Sequence, residues 1–107
     1  MEPDFDHAEV RDNAAESRYE IVIGGEVAVL GYAREGDLIT FTHTKVPAAL
    51  EGHGIAGKLA KTALDEARAQ GLAVIPQCPY VAAYIRRHPD YADLVPESSR
   101  DLLSRPE

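Results

Sequence analysis

The chain has 107 residues, 45% of them apolar and 27% charged, which is the balance of a folded protein and the length of one ordinary domain. Acidic side chains outnumber basic ones 18 to 11, a net charge of −7 with Glu2, Asp4, Asp6 and Glu9 near the start; this argues against nucleic acid as a partner and fits either a solubilising surface or an attraction for cationic acceptors such as amines. A single cysteine, Cys78, excludes an internal disulfide, no CxxC pair or histidine-rich cluster offers a metal site, and neither a leader-like start nor a run of roughly 20 apolar residues appears, so the sequence reads as cytoplasmic with no membrane partner.

In chain order, three apolar-rich runs come first: Tyr19 to Ile23, Val27 to Arg34 and Leu38 to Val46, separated by Gly24-Gly25 and by Glu35-Gly36-Asp37. Glycine-bearing breaks of this length predict tight hairpins and an antiparallel meander. In the third run Leu38, Thr40, Thr42 and Thr44 alternate with Ile39, Phe41, His43 and Lys45, which predicts one hydroxyl-bearing face and one bulkier face. After Val46-Pro47 the period changes. Ile55, Leu59, Ala63 and Ala67 recur every four residues, widened by Ala56, Ala60 and Leu64, so an amphipathic helix is predicted up to Gly71, which caps it. Leu72 to Ile75 reads as a buried strand, parallel to the others by the strand-helix-strand order. Pro79 suits the first position of a second helix that runs to about Arg87 and is stopped by Pro89. Residues 1–9 and 96–107 are expected to be peripheral or frayed around a single domain.

Chemistry concentrates in LEGHGIAGKLAKTALDEAR, residues 50–68, where glycines at 52, 54 and 57 stand between a strand and a strong helix. Helix starts carry unpaired N–H groups and the positive end of the macrodipole, and glycine lets an anion approach that backbone. The spacing alone admits two readings, an anion cradle or a plain tight turn. It is neither a Walker loop nor a dinucleotide fingerprint.

Val46-Pro47, then GHGIAGKL, then an alanine-rich helix and a short apolar strand resemble the acetyl-CoA motif of the GNAT acetyltransferase superfamily. THTKVP at 42–47, CPYV at 78–81 and HPDY at 88–91 are similar to segments of its small single-domain YjdJ-like type, and the likeness covers about residues 10 to 95. The resemblance implies an α/β fold: a mixed sheet with antiparallel N-terminal strands, a crossover helix, a parallel strand and a closing helix. It implies acetyl-CoA as cofactor, with Glu51, Gly52, His53, Gly54, Ile55, Ala56 and Gly57 around the pyrophosphate and Val46 beside the pantetheine arm. Glu51 is a departure, since the superfamily usually has Arg or Gln there and a carboxylate repels phosphate unless it faces solvent.

Moving an acetyl group to an amine requires a positioned carbonyl, a donor for the oxyanion and groups that manage two protons. Tyr84 resembles the tyrosine that many such enzymes use to protonate the leaving thiolate; the alternative is a packing tyrosine on an amphipathic helix. Cys78 stands where a strand ends and a helix begins, a place that activates a thiol. It is read either as an acetyl acceptor or proton relay, or as a small buried hydrophobe. His43 is a candidate general base or a strand histidine held by hydrogen bonds. Arg86, Arg87 and His88 suit the 3′-phosphate of coenzyme A or a solvated helix end. Extra helices and C-terminal strands of larger relatives have no counterpart here, so the acceptor side is expected to be open to a protein, peptide or small amine. A non-catalytic acyl-CoA-binding module and a domain for another nucleotide are the competing classes.

Overall fold

The computed structural model describes Phe5 and residues 7–104; Glu2, Asp4 and Asp6 of the acidic start lie outside the described residues, as do 105–107. Five strands form one sheet in sequence order: β1 (Arg11–Asn13), β2 (Arg18–Ile23), β3 (Glu26–Glu35), β4 (Leu38–Lys45) and β5 (Ala73–Pro76). The first four are antiparallel and β5 runs parallel to β4, which makes the chain a GNAT-like α/β fold. Gly24-Gly25 and Gly36-Asp37 make the two hairpin turns, as their spacing predicts. β1 has no apolar alternation to announce it; it adds a short edge to β2.

Helix α1 (Ile55–Ala69) connects β4 to β5, and α2 (Pro79–Arg87) follows β5. Both pack on the same face of the sheet. Ile55, Leu59, Ala63, Leu64 and Ala67 of α1 and Val81 and Ile85 of α2 share one core with Tyr19, Ile21, Leu30, Ile39, Phe41 and Val74 from the strands. The end of α1 is a Schellman motif: Gly71 N–H donates to Arg68 O and Leu72 N–H to Ala67 O, so the last carbonyls are satisfied as the chain turns into β5. The opposite face of the sheet is open, with Val22 54% and Val27 40% exposed. Beyond α2 the described chain forms 3-10 turns at Pro89–Leu94 and Glu97–Ser104, the second tied to α2 by Arg86 donating to Leu103 O at 2.8 Å, so the tail to Ser104 is peripheral but structured. No helix among the described residues is long and apolar enough to cross a membrane.

An irregularity in β4 decides where its side chains point. Tyr32 pairs with Phe41 but Gly31 with His43, so Thr42 is an extra residue, a bulge. The simple alternation expected for this strand therefore fails past Phe41. Thr44 stands opposite buried Leu30 on the helix side, and His43 stands opposite Gly31 on the other face. The imidazole lies over that glycine, where a Cβ would come within 2.4 Å of the ring.

Three phenols fasten elements together by donating to carboxylates: Tyr19 and Tyr91 reach α1, at Glu66 (3.1 Å) and Asp65 (2.6 Å), and Tyr32 reaches Asp12 of β1 within the sheet at 2.6 Å. Burial first, then the Asp12 bond, pushes the Tyr32 phenol up to about 12. The Asp65 bond first, then burial, does the same for Tyr91, and Tyr19 is raised as well, mainly by burial and then by the Glu66 charge. A phenol with a raised folded-state pKa keeps its proton where the unfolded chain has lost it. The stability these bonds give is thus complete below the ordinary phenol value of about 10 and drains away as the pH rises toward 12. Thermal melts between pH 9 and 12 should show the midpoint falling across that window, and Tyr91→Phe should flatten part of the fall; a midpoint independent of pH there would refute the assignment.

Candidate functional site

β4 and β5 pair from Leu38↔Ala73 to Phe41↔Pro76, and the last link across the seam is Cys78 N–H donating to Phe41 O at 2.8 Å. There the chain leaves the sheet as α2, while β4 runs on through Lys45 with no β5 partner beside it. The opening is closed at one end by the turn that follows β4. Pro47 to Leu50 form a short 3-10 turn, in which Leu50 N–H donates to Pro47 O and Glu51 N–H to Ala48 O. Gly52 and Gly54 then adopt left-handed conformations, at φ +82° and +73°, and carry the chain into α1.

From Gly52 to Gly57, no amide donates to a backbone or side-chain acceptor among the described residues; the first helical bond is Lys58 N–H to Gly54 O at 3.1 Å. Six unpaired donors at the start of a 15-residue helix are the donor set that a diphosphate needs. Glu51 differs, since its amide is already used internally, and the run of unpaired amides begins one residue after it.

A cleft of about 160 Å³ lies against these residues, lined by Val46, Leu50, Glu51, Gly52, Gly54, Ile55, Ala56, Gly57 and Tyr80. Seven of the eight residues expected around the cofactor are on its wall. His53 is not; its ring is stacked on Phe5, centroids 3.8 Å apart and 9° between planes. Tyr80 and Leu50 were not singled out from the sequence. Tyr80 is in the first turn of α2, and its hydroxyl lies 3.3 Å from where a Cβ on Gly57 would stand, so the missing side chain at Gly57 makes room for it. A glycine inside an otherwise alanine-rich helix was the available signal.

The three candidate catalytic residues occupy different surroundings, and none lines the cleft. Tyr84 is 8% exposed, one turn behind Tyr80, with an edge 3.8 Å from the Gly57 Cβ position. Its ring stacks on His88 at 4.1 Å, its hydroxyl has no hydrogen-bond partner among the described residues, and burial raises its pKa, opposed by the Lys61 charge. Cys78 is 2% exposed, and its Sγ lies 3.2 Å from Thr44 Oγ1, which the Thr42 bulge turns inward. His43 is on the far face of the sheet, exposed, with Nδ1 3.0 Å from Thr42 Oγ1. The basic triplet is split: Arg86 reaches Leu103, Arg87 lies over the Tyr80 ring at 5.9 Å, and His88 stacks on Tyr84.

A mixed sheet that opens between a β4 end and α2, with a glycine-rich turn leading into the crossover helix, is the arrangement of a GNAT-like α/β domain. The chain belongs to the GCN5-related N-acetyltransferase family, whose model matches residues 18–94. It is similar to the protein called NATD1 of Gallus gallus, Mus musculus and Homo sapiens, 40% identical to each over 63 residues. That match covers 58% of this chain and 56–57% of the relatives, so the chain spans little more than half the length of the curated proteins it matches.

Gly54→Ala should destabilise the protein by about 1–2 kcal/mol through left-handed backbone strain alone, because a Cβ there meets no atom within 4 Å. Gly57→Ala, at a helical position, should be nearly neutral for stability, because the Tyr80 hydroxyl 3.3 Å from the new Cβ has only to shift slightly. Denaturant titration of both variants checks the contrast, and equal losses would contradict it.

Proposed function

We propose that this domain transfers an acetyl group from acetyl-CoA to an amine, on a protein, a peptide or a small molecule. The observation that carries the reading is the run of unpaired amides from Gly52 to Gly57, five of whose six residues line the cleft. Acetyl-CoA supplies an activated acyl carbon and a thiolate leaving group. On this reading the amides hold the diphosphate, Gly52 and Gly54 leave their approach clear of side chains, and Val46 at the end of β4 presents backbone to the pantetheine arm.

Tyr80 and Tyr84 are the phenols that stand closest to the cleft. Tyr84 holds its proton firmly at neutral pH, as a donor to a departing thiolate must, and Tyr80 is the one on the wall. Direct attack by the amine is favoured over a route through Cys78, because that thiol is buried, is paired with Thr44 and is off the cleft. His43 faces away from both helices and is left out of the proton path. Positioning carries most of the rate.

Glu51 favours a second reading, an acyl-CoA-binding module without turnover, since among the described residues Glu51 and Tyr80 are the only titratable side chains on the wall. Incubation with acetyl-CoA and a pool of amines, with free thiol followed over time, separates the two. The enzyme releases thiol only when an acceptor is present; saturable CoA binding with no release under any acceptor supports the module, and absence of binding removes both. Cys78→Ala should keep release within a few-fold of the parent, whereas loss of release with binding intact would restore the covalent route. Glu51→Gln should tighten CoA binding by roughly two- to fivefold, more at low salt, because it removes an exposed like charge.

A further inference from the structure

His53 is the one side chain between the two left-handed glycines of the cradle, and neither it nor its neighbours Gly52 and Gly54 donates a backbone hydrogen bond among the described residues. A turn so built is pliable, yet binding a diphosphate is tightest when its donors are already in place. The turn carries a ring contact. Phe5 lies flat on the His53 imidazole, 3.8 Å between centroids and 9° between planes. Phe5 is itself half-buried, and with Ala8 and Val10 it packs against the core. Phe5 therefore touches both the core and the His53 ring of the cradle. Phe5 also lies outside the stretch that matches the family model, which begins at residue 18.

We infer that Phe5 is a positioning residue for the diphosphate cradle: stacked on His53, it fixes the Gly52–Gly54 turn and so preorganises the six amides. The inference rests on the proposed reading of the cradle as the cofactor's anion site. Stacked aromatic pairs carry a coupling that corresponds to roughly three- to tenfold in an equilibrium constant, and that is the size of effect expected.

Calorimetric titration of the full chain with CoA tests it, using Phe5→Leu, which keeps apolar packing but loses the ring, together with Phe5→Tyr, His53→Ala and the Phe5→Leu/His53→Ala double variant. Phe5→Leu and His53→Ala should each weaken CoA by about three- to tenfold, the double variant should be no weaker than either, and Phe5→Tyr should bind like the parent. In turnover the loss should fall on KM for acetyl-CoA rather than on kcat. Backbone 15N relaxation without ligand should show lower order parameters at residues 52–54 in Phe5→Leu and no change in Phe5→Tyr. Unchanged or tighter CoA binding in Phe5→Leu, additive losses in the double variant, or unaltered order parameters would each overturn the inference. A parent protein that binds no CoA would instead remove the functional reading, and the relaxation comparison would still decide whether Phe5 holds the turn.

Discussion

The seam between β4 and β5 is the constraint on which the site depends. Two neighbouring parallel strands would ordinarily share a ladder along their whole length, but here the ladder ends at Phe41↔Pro76. Proline has no N–H to continue it, and Pro79 three residues further on starts a helix, so the chain has to leave the sheet. The departure does three things at once: it uncovers the end of β4 up to Val46, it buries Cys78 at the fork, and it brings Tyr80 across to the glycine start of α1. A β5 that continued alongside Thr42 to Lys45 would close the cleft.

Packing between the helices follows from the same geometry. α2 approaches α1 near Gly57, where the absent Cβ admits the Tyr80 hydroxyl and the edge of Tyr84. Behind them Tyr84, His88 and Tyr91 form a ring cluster, and Tyr91 is pinned to α1 through Asp65, which also takes a hydrogen bond from Lys61 at 2.9 Å. One wall of the cleft is thus stiffened from the core side. The other wall, the glycine turn, has backbone donors to spare and few bonds of its own, a division that suits a rigid floor with a backbone rim.

Much of the fold was legible because its signals are local. The four-residue repeat of α1, the prolines around α2 and the glycines of the hairpins each act within a few residues of themselves, and the elements appear where those signals stand. β1 was not legible: Arg11, Asp12 and Asn13 form a strand only because β2 offers them an edge. The bulge in β4 was hidden for another reason. Thr40, Thr42 and Thr44 are chemically identical, so an extra residue among them leaves the alternation looking intact while it moves Thr44 inward and His43 outward. In the site, the turn from Glu51 to Gly57 is continuous in sequence and could be read as a unit. Tyr80 joins it through the tertiary fold, and Phe5 reaches it from 48 positions away along the chain, a pairing for which no spacing rule exists.

The ends of the sheet bear on how the protein behaves in crowded solution. An exposed ladder of unpaired backbone groups is a template for another chain, and long flat edges invite stacking into aggregates. This sheet terminates on one side in three residues, two of them charged, and on the other in four residues that finish at a proline. Neither border offers more than a few free donors and acceptors in a row. A small domain that leaves one broad β surface open to water therefore gives a stray strand very little to grip.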